Sequence, residues 1–380
     1  MLQVQEFLRT KTFDDLTAEY GIKASFHPVL PLVILNYNQI ESPKTHPIVR
    51  ECRALVLRTD TKEVVARSFP RFFNWGEVAD EMSSFDFSNF VVQSKEDGSL
   101  ILLYWFDGHW RINTRGSFAQ ELMQFQTFTW EDGVRKALLV ESLDEFDAHL
   151  DRDCAYVGEF CSPWNKVVRN YESPCVFLLT AFNHKTNVEL TTEEADKIAP
   201  LVRMKRPEIF RFSSIEQIQK FLQDQASADP TFEGVVIRDC HGHRWKVKSP
   251  TYLGLHRLRG EGDNLYNPKH LLPFVLAGEE SELLTYFNEA AEAVYKLKSQ
   301  VQAAYIQLLE TWSECKDIEN QKDFALAVQG RTPFVSLLFQ VRKEHGKAQS
   351  ARHLRELWRI SEAQILKFLK ISSVDFATPN

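Results

Sequence analysis

A change of hydrophobic rhythm near residue 255 divides this 380-residue chain into two parts. Before it, short runs at 90–93, 100–105, 110–114, 175–181, 234–238 and 244–247 are rich in β-branched and aromatic residues. Gly, Asp or Asn breaks them, so they read as strands. Asp107-Gly108 is a hairpin signal, and residues 239–243 are expected to turn between two paired strands. Beyond the change, apolar residues recur at 284, 287, 291, 294, 297, 301, 304, 308 and 312. Steps of three and four over that distance mark an amphipathic helix. The spacing predicts one helix over 279–312, preceded by Gly278, and a second helical stretch over 354–369. Gly330-Arg331-Thr332-Pro333 reads as a break between helices. The expected fold is therefore α+β: antiparallel sheets with flanking helices over 1–255, then an all-helical domain over 256–380.

Composition narrows the function. No apolar run approaches the ~18 residues of a membrane helix. Residues 1–8 lack a basic patch followed by an apolar stretch, so no secretory signal is expected. The cysteines at 52, 154, 161, 175, 240 and 315 form no CxxC pair, which points to reduced thiols in a cytosolic compartment. Cys240-His241-Gly242-His243 has no second ligand pair at zinc-like spacing, so zinc is not expected there. The net charge of −7 argues against wholesale coating of nucleic acid. Residues 340–370, however, hold eight Lys or Arg against three Glu. Arg352, Arg355 and Arg359 within this stretch share one helical face. They read either as a solvated face balanced by Glu356 and Glu362 or as a ridge tracking RNA phosphates.

The chemistry concentrates in the first part. In Ser94-Lys95-Glu96-Asp97-Gly98-Ser99-Leu100 a lysine leaves one apolar strand and meets a turn glycine before the next. Alone, this is an ordinary hairpin with a surface lysine. Downstream, Tyr156-Val157-Gly158-Glu159-Phe160 ends a strand on a carboxylate, and Glu233-Gly234-Val235-Val236 opens another with one. Trp245-Lys246-Val247-Lys248 puts two lysines on one strand face. An amine that attacks a phosphate must be unprotonated, and neighbouring cations favour that form. Lysines and arginines also stabilise the charge of a departing pyrophosphate. Magnesium is usually held by one or two carboxylates plus the phosphates themselves.

On these motifs the chain resembles the bacteriophage RNA ligase 1 family of covalent nucleotidyltransferases. Lys95-Glu96-Asp97-Gly98-Ser99-Leu100 matches the family's nucleophile motif, and Glu51-Cys52-Arg53 its upstream arginine motif. Tyr37 stands at the family's spacing before that arginine. Phe69-Pro70-Arg71-Phe72-Phe73-Asn74 and Thr114-Arg115-Gly116-Ser117 resemble two further segments, each with Arg where the family usually has Lys. Glu159 with residues 162–168, Glu233-Gly234-Val235-Val236, and Lys246-Val247-Lys248-Ser249 with Tyr252 match the third, fourth and fifth motifs.

The resemblance implies a nucleotidyltransferase domain over 1–255 and an ATP-dependent RNA ligase with Lys95 as the adenylated nucleophile. Asp97, Glu159 and Glu233 would join Lys95 in the catalytic set. Tyr37, Arg53, Arg71, Arg115, Glu159, Lys246 and Lys248 would bind ATP, with Phe182 stacked on adenine or buried as core. Glu159 and Glu233 would serve Mg2+ or Mn2+. Tyr252, Arg352, Arg355 and Arg359 are candidates for RNA contact, and the helical domain for selecting the RNA. The expected partner is RNA, cleaved tRNA among the candidates. The expected enzyme is a monomer that touches no membrane and works in the cytoplasm, the host's if the chain is viral. No GxxxxGK[ST] loop is present, since Gly346-Lys347-Ala348 lacks the hydroxyl residue and the first glycine. A separate end-healing kinase-phosphatase is therefore expected to act first. The alternatives are a catalytically inactive RNA-binding protein of the same fold, a DNA ligase and a capping enzyme. The last two would normally carry a β-rich domain after the fifth motif.

Overall fold

A computed structural model describes residues 1–39, 41–123, 126–165, 167, 169–229, 231–249, 268–286, 290–344 and 350–369. It divides into two compact units, Met1–His256 and Arg257–Asn380.

The first unit holds three sheets. The first runs β1 (Ile22–Phe26), β2 (Leu32–Tyr37), β3 (Leu55–Arg58) and β4 (Val64–Ala66), each antiparallel to the next. The second comprises β7 (Ser99–Phe106), β8 (His109–Thr114), β9 (Cys154–Cys161), β10 (Cys175–Asn183) and β11 (Val188–Glu189), in the order β11-β10-β9-β7-β8. The third comprises β5 (Phe73–Asn74), β6 (Phe90–Ser94), β12 (Ile209–Phe210), β13 (Gly234–Asp239) and β14 (Arg244–Lys248), in the order β12-β6-β13-β14-β5. Only the β14–β5 pair in it is parallel.

Period-two alternation decides what each face buries. Leu32, Ile34 and Val56 pack with Leu100, Leu102, Ala155 and Val157 of the second sheet. The alternate residues Val33, Leu35, Leu55 and Leu57 pack with Leu16, Ile48 and Val49 instead. On the far face of the second sheet, Ile101, Leu103, Tyr156 and Phe160 meet Val134, Leu138 and Ala199 from helices Trp130–Leu138 and Thr192–Leu201. Helix Ile215–Ala228 covers the third sheet through Ile218 and Leu222, against Val92, Val235, Ile237 and Trp245.

The strands expected at 90–93, 100–105, 110–114, 175–181, 234–238 and 244–247 all form, each extended by a residue or two at one or both ends. Asp107 and Gly108 turn with positive φ. One strand end needs correction. Glu159 does not end its strand, because β9 continues to Cys161, where Cys161 pairs with Cys175.

The secondary-structure elements described in the second unit are all helices, with no strand among the described residues. Of the helix expected over 279–312, the described residues form Glu280–Tyr286 and Ala291–Cys315, and residues 287–289 lie outside the described residues. Ala290 (φ −84°, ψ 0°) caps the second without helical geometry. Within that helix the predicted stripe holds, with Val294, Leu297, Val301, Ala304, Leu308 and Trp312 all buried. The stretch over 354–369 is two helices, Ser350–Arg359 and Glu362–Phe368. Between them the Ser361 hydroxyl donates to the Leu357 carbonyl (2.6 Å), a local bond that competes with helix continuation. Among the described residues no helix is long and apolar enough to cross a membrane.

Candidate active site

Lys95 sits where the chain passes from the third sheet to the second. β6 ends at Ser94, the Lys95 N–H donates to the Gly234 carbonyl at 2.9 Å, and β7 begins at Ser99. Residues 95–98 make the crossing. A Cβ on Gly98 would lie 2.4 Å from the Phe160 carbonyl oxygen and 2.7 Å from Cys161 Sγ, so only glycine fits under β9. Gly234 is under a similar constraint. Its φ is +141°, and a Cβ there would lie 2.2 Å from the Val247 carbonyl. These two glycines explain why Lys95 and Glu233 are followed by Gly at their particular offsets.

The side chains then converge. Lys95 Nζ lies 2.6 Å from Glu233 Oε2, and Lys248 Nζ lies 3.1 Å from Glu233 Oε1. Burial pushes the Glu233 carboxyl up, but the two lysines more than offset this and hold it below the usual carboxylate range. Glu159 behaves in the opposite way. Burial raises its carboxyl to about 7, although Lys95 and Arg53 pull it down.

A second cluster surrounds Tyr37 at the end of β2. The Arg71 guanidinium lies 4.5 Å from the centre of the Tyr37 ring and that of Arg115 lies 5.7 Å from it. Burial alone would raise the phenol, yet Arg53, Arg115, Arg71 and Lys246 bring it down to about 8. Four cations acting on one phenol mark a strongly positive pocket. Phe69 and Phe72 stack on Arg53, at 4.5 and 5.5 Å, and Lys246 lies 5.3 Å from the Phe72 ring. Arg53 Nη1 and Arg71 Nε are buried with no hydrogen-bond partner among the described residues. Such orphaned donors fit phosphate oxygens. Arg53 joins the two clusters, because Glu159 feels both it and Lys95.

The remaining expected residues make other contacts, stand exposed or lie outside the described residues. Asp97 Oδ2 accepts the Arg169 N–H at 2.8 Å, and the Asp97 N–H donates to the Tyr171 hydroxyl at 3.1 Å. The Tyr171 hydroxyl in turn donates to Glu96 at 2.9 Å. Asp97 thus fastens Arg169 and Tyr171 to the loop that carries Lys95. Phe182 is buried in the core between the first two sheets, with the Arg67 guanidinium 5.0 Å from its ring. It pairs with Ala155, four residues from Glu159, or roughly 13 Å along the strand. Tyr252 lies outside the described residues, as does the side chain of Arg352. Arg355 is half-buried, its Nε donating to the Tyr305 hydroxyl at 3.4 Å, and Arg359 is exposed.

One aromatic residue absent from the expected set lies nearer Glu159 than Phe182 does. Phe177 pairs directly with Glu159 across β9 and β10, so the two side chains leave the same face. It lines a cavity of about 740 Å³ together with Ser94, Tyr171, Lys205 and Phe232. No local sequence signal distinguishes Phe177 from Phe182, because the choice rests on strand register.

A lysine held by a carboxylate where the chain passes between two sheets, beside a positive pocket with orphaned donors, can bind and polarise phosphate groups. A family profile of the phage T4 RNA ligase 1 type, described as RNA ligase, matches residues 51–252. The chain belongs to this RNA ligase family. It is 29% identical over 393 residues to a protein of Autographa californica nuclear polyhedrosis virus, named as a candidate bifunctional polynucleotide kinase/RNA ligase. That match covers 97% of this chain and 53% of the viral protein, so the chain spans about half the relative's length. It is 25% identical over 340 residues to an RNA ligase of Rhodothermus phage RM378, covering 72% of this chain and 77% of that one. Among solved structures, an archaeal ATP-dependent RNA ligase aligns over 96% of this chain and 81% of its own, with 13% identity and a TM-score of 0.47.

Proposed function

We propose that this chain is an ATP-dependent RNA ligase that joins 5′-phosphate and 3′-hydroxyl RNA ends. The carrying observation is the pairing of Lys95 with Glu233 beside the Tyr37, Arg53, Arg71, Arg115 and Lys246 pocket. In the first step the Lys95 amine attacks the α-phosphorus of ATP. An N–P bond forms, the P–O bond to pyrophosphate breaks, and the amine proton leaves to solvent, while Glu233 holds the Lys95 nitrogen in place. The cationic pocket binds the triphosphate and stabilises the charge that collects on pyrophosphate. AMP then passes to a 5′-phosphorylated RNA end, restoring the free amine. Attack by a 3′-hydroxyl on that end forms the phosphodiester and releases AMP.

Phe177 is the aromatic face we assign to adenine, with Phe182 as core. Glu159 is the donor best suited to a divalent cation. Its carboxyl is held near 7 by burial, whereas both Glu233 oxygens already face lysines. Mg2+ or Mn2+ there would supply charge neutralisation of the phosphates. A DNA ligase or capping enzyme is disfavoured by the helical second unit, in which no strand occurs among the described residues.

The finer reading is RNA repair in the cytoplasm by a monomer, with cleaved tRNA as a candidate substrate. The 5′-phosphate would come from a separate end-healing kinase-phosphatase. The test is incubation with ATP and a single-stranded 5′-phosphorylated RNA. Circular or joined RNA, made only when the 5′ end is phosphorylated, is the expected product. Unchanged RNA, alongside normal folding, contradicts the proposal.

A further inference from the structure

The β13–β14 hairpin carries catalytic residues at its base and an unrelated donor cluster at its tip. Asp239 organises the tip. Its carboxylate is fully buried, and Oδ1 accepts the N–H groups of His241 (3.0 Å) and His243 (2.8 Å). Oδ2 accepts the Asp86 N–H at 3.2 Å and lies 2.8 Å from His243 Nδ1. The Cys240 N–H donates to the Asn89 carbonyl at 3.0 Å. One buried carboxylate and one main-chain bond thus pin the segment before β6 against the turn. Three chemically different donors meet there: the Asp86 carboxylate, the Cys240 thiol and the His241 imidazole. Their ligand atoms all lie within 4.8 Å of one another, and Cys240 Sγ is 3.5 Å from Asp86 Oδ2.

Tetrahedral zinc with bonds of about 2.0–2.3 Å sets its donors about 3.3–3.8 Å apart. The cluster needs about 1 Å of contraction, within the reach of rotamer changes in exposed or half-buried side chains. We propose that Asp86, Cys240 and His241 form a transition-metal site, for Zn2+ above all, with solvent at the fourth position. Thiolate and imidazole favour zinc over Mg2+ or Ca2+, which take oxygen donors. The site is therefore chemically separate from any cation bound with ATP. Binding forms a metal–sulfur bond as the thiol proton leaves to solvent. The Cys-His-Gly-His run alone gives no zinc spacing, because the third donor lies 154 residues earlier in the chain.

Cobalt titration of the full chain, without nucleotide or Mg2+, tests this. Cys240 is exposed and the other five cysteines are buried, so a thiolate-to-cobalt charge-transfer band reports on Cys240. The expected result is a band with a one-to-one end point, displaced by Zn2+ and unaffected by excess Mg2+. Cys240→Ser should abolish it, and Asp86→Asn and His241→Ala should each weaken cobalt binding about tenfold or more. All three variants should keep wild-type labelling by AMP, which shows that they fold. Absence of the band, its persistence in Cys240→Ser, or unchanged affinity in both other variants would overturn the proposal.

Discussion

Glu159 and Glu233 face the same lysine in opposite electrostatic states, and pH separates them. The folded state holds a proton on Glu159 up to about pH 7, whereas an unfolded glutamate releases it near 4.5. Between those values the folded chain binds more protons, so the Glu159 contribution to stability falls as pH rises through this window. Glu159→Gln, which cannot ionise, should match the wild type below about pH 4.5 in metal-free buffer. It should exceed it on the order of 2 kcal/mol at pH 8. Denaturant titrations at the two pH values measure this, and equal stabilities at pH 8 would refute the burial argument. The same variant should lose ligation. Lys248 faces the other Glu233 oxygen, and we assign it to the phosphates of ATP. Lys248→Ala should reduce self-adenylation by about 10²–10³-fold and sealing of pre-adenylated RNA by much less. Equal losses in both assays would place its action on the RNA.

The link from β6 to β7 fixes where Lys95, the nucleophile we propose, stands. Gly98→Ala puts a methyl against a backbone oxygen that cannot move without displacing β9. It should cost about 1–3 kcal/mol of stability and abolish adenylation, even though Lys95 is intact. A stable, fully active Gly98→Ala enzyme would mean that the crossing is looser than described. Strands with an alternating pattern, the turn at Asp107-Gly108 and the stripe from Val294 to Trp312 were legible in the sequence, because each is a local pattern. So was the grouping of Lys95 with Glu159 and Glu233, because glycines that the backbone requires punctuate those segments. What depended on distant pairing was not legible. The contacts of Asp97 depend on Arg169 and Tyr171, and the pairing of Phe177 with Glu159 depends on the β9–β10 register. The break at Ser361 was missed because the apolar period runs through it.

Across the whole chain, the two units divide the labour we assign to them. The second unit's described residues form helices around one apolar core, and none carries a nucleophile motif. Its basic stretch is the candidate path for RNA. Neutralising Arg352, Arg355 and Arg359 together should weaken binding of structured RNA and flatten its salt dependence, by about 0.7–0.9 in slope for each phosphate no longer neutralised. Self-adenylation should survive, because the pocket we assign to ATP is built, among the described residues, from the first unit. Affinities of wild type and triple variant at several salt concentrations decide this. Unchanged affinity and slope would move the RNA path to the first unit.

Transfer of label from α-phosphate-labelled ATP to the protein tests the account most directly. The wild type should acquire a stable, acid-labile phosphoramidate adduct on Lys95, located by peptide mapping. Lys95→Ala and Lys95→Arg should acquire none while unfolding at about the wild-type temperature, since a guanidinium stays protonated and is no nucleophile. Label retained in a folded Lys95→Ala protein, or mapped to another residue in the wild type, would contradict the mechanism.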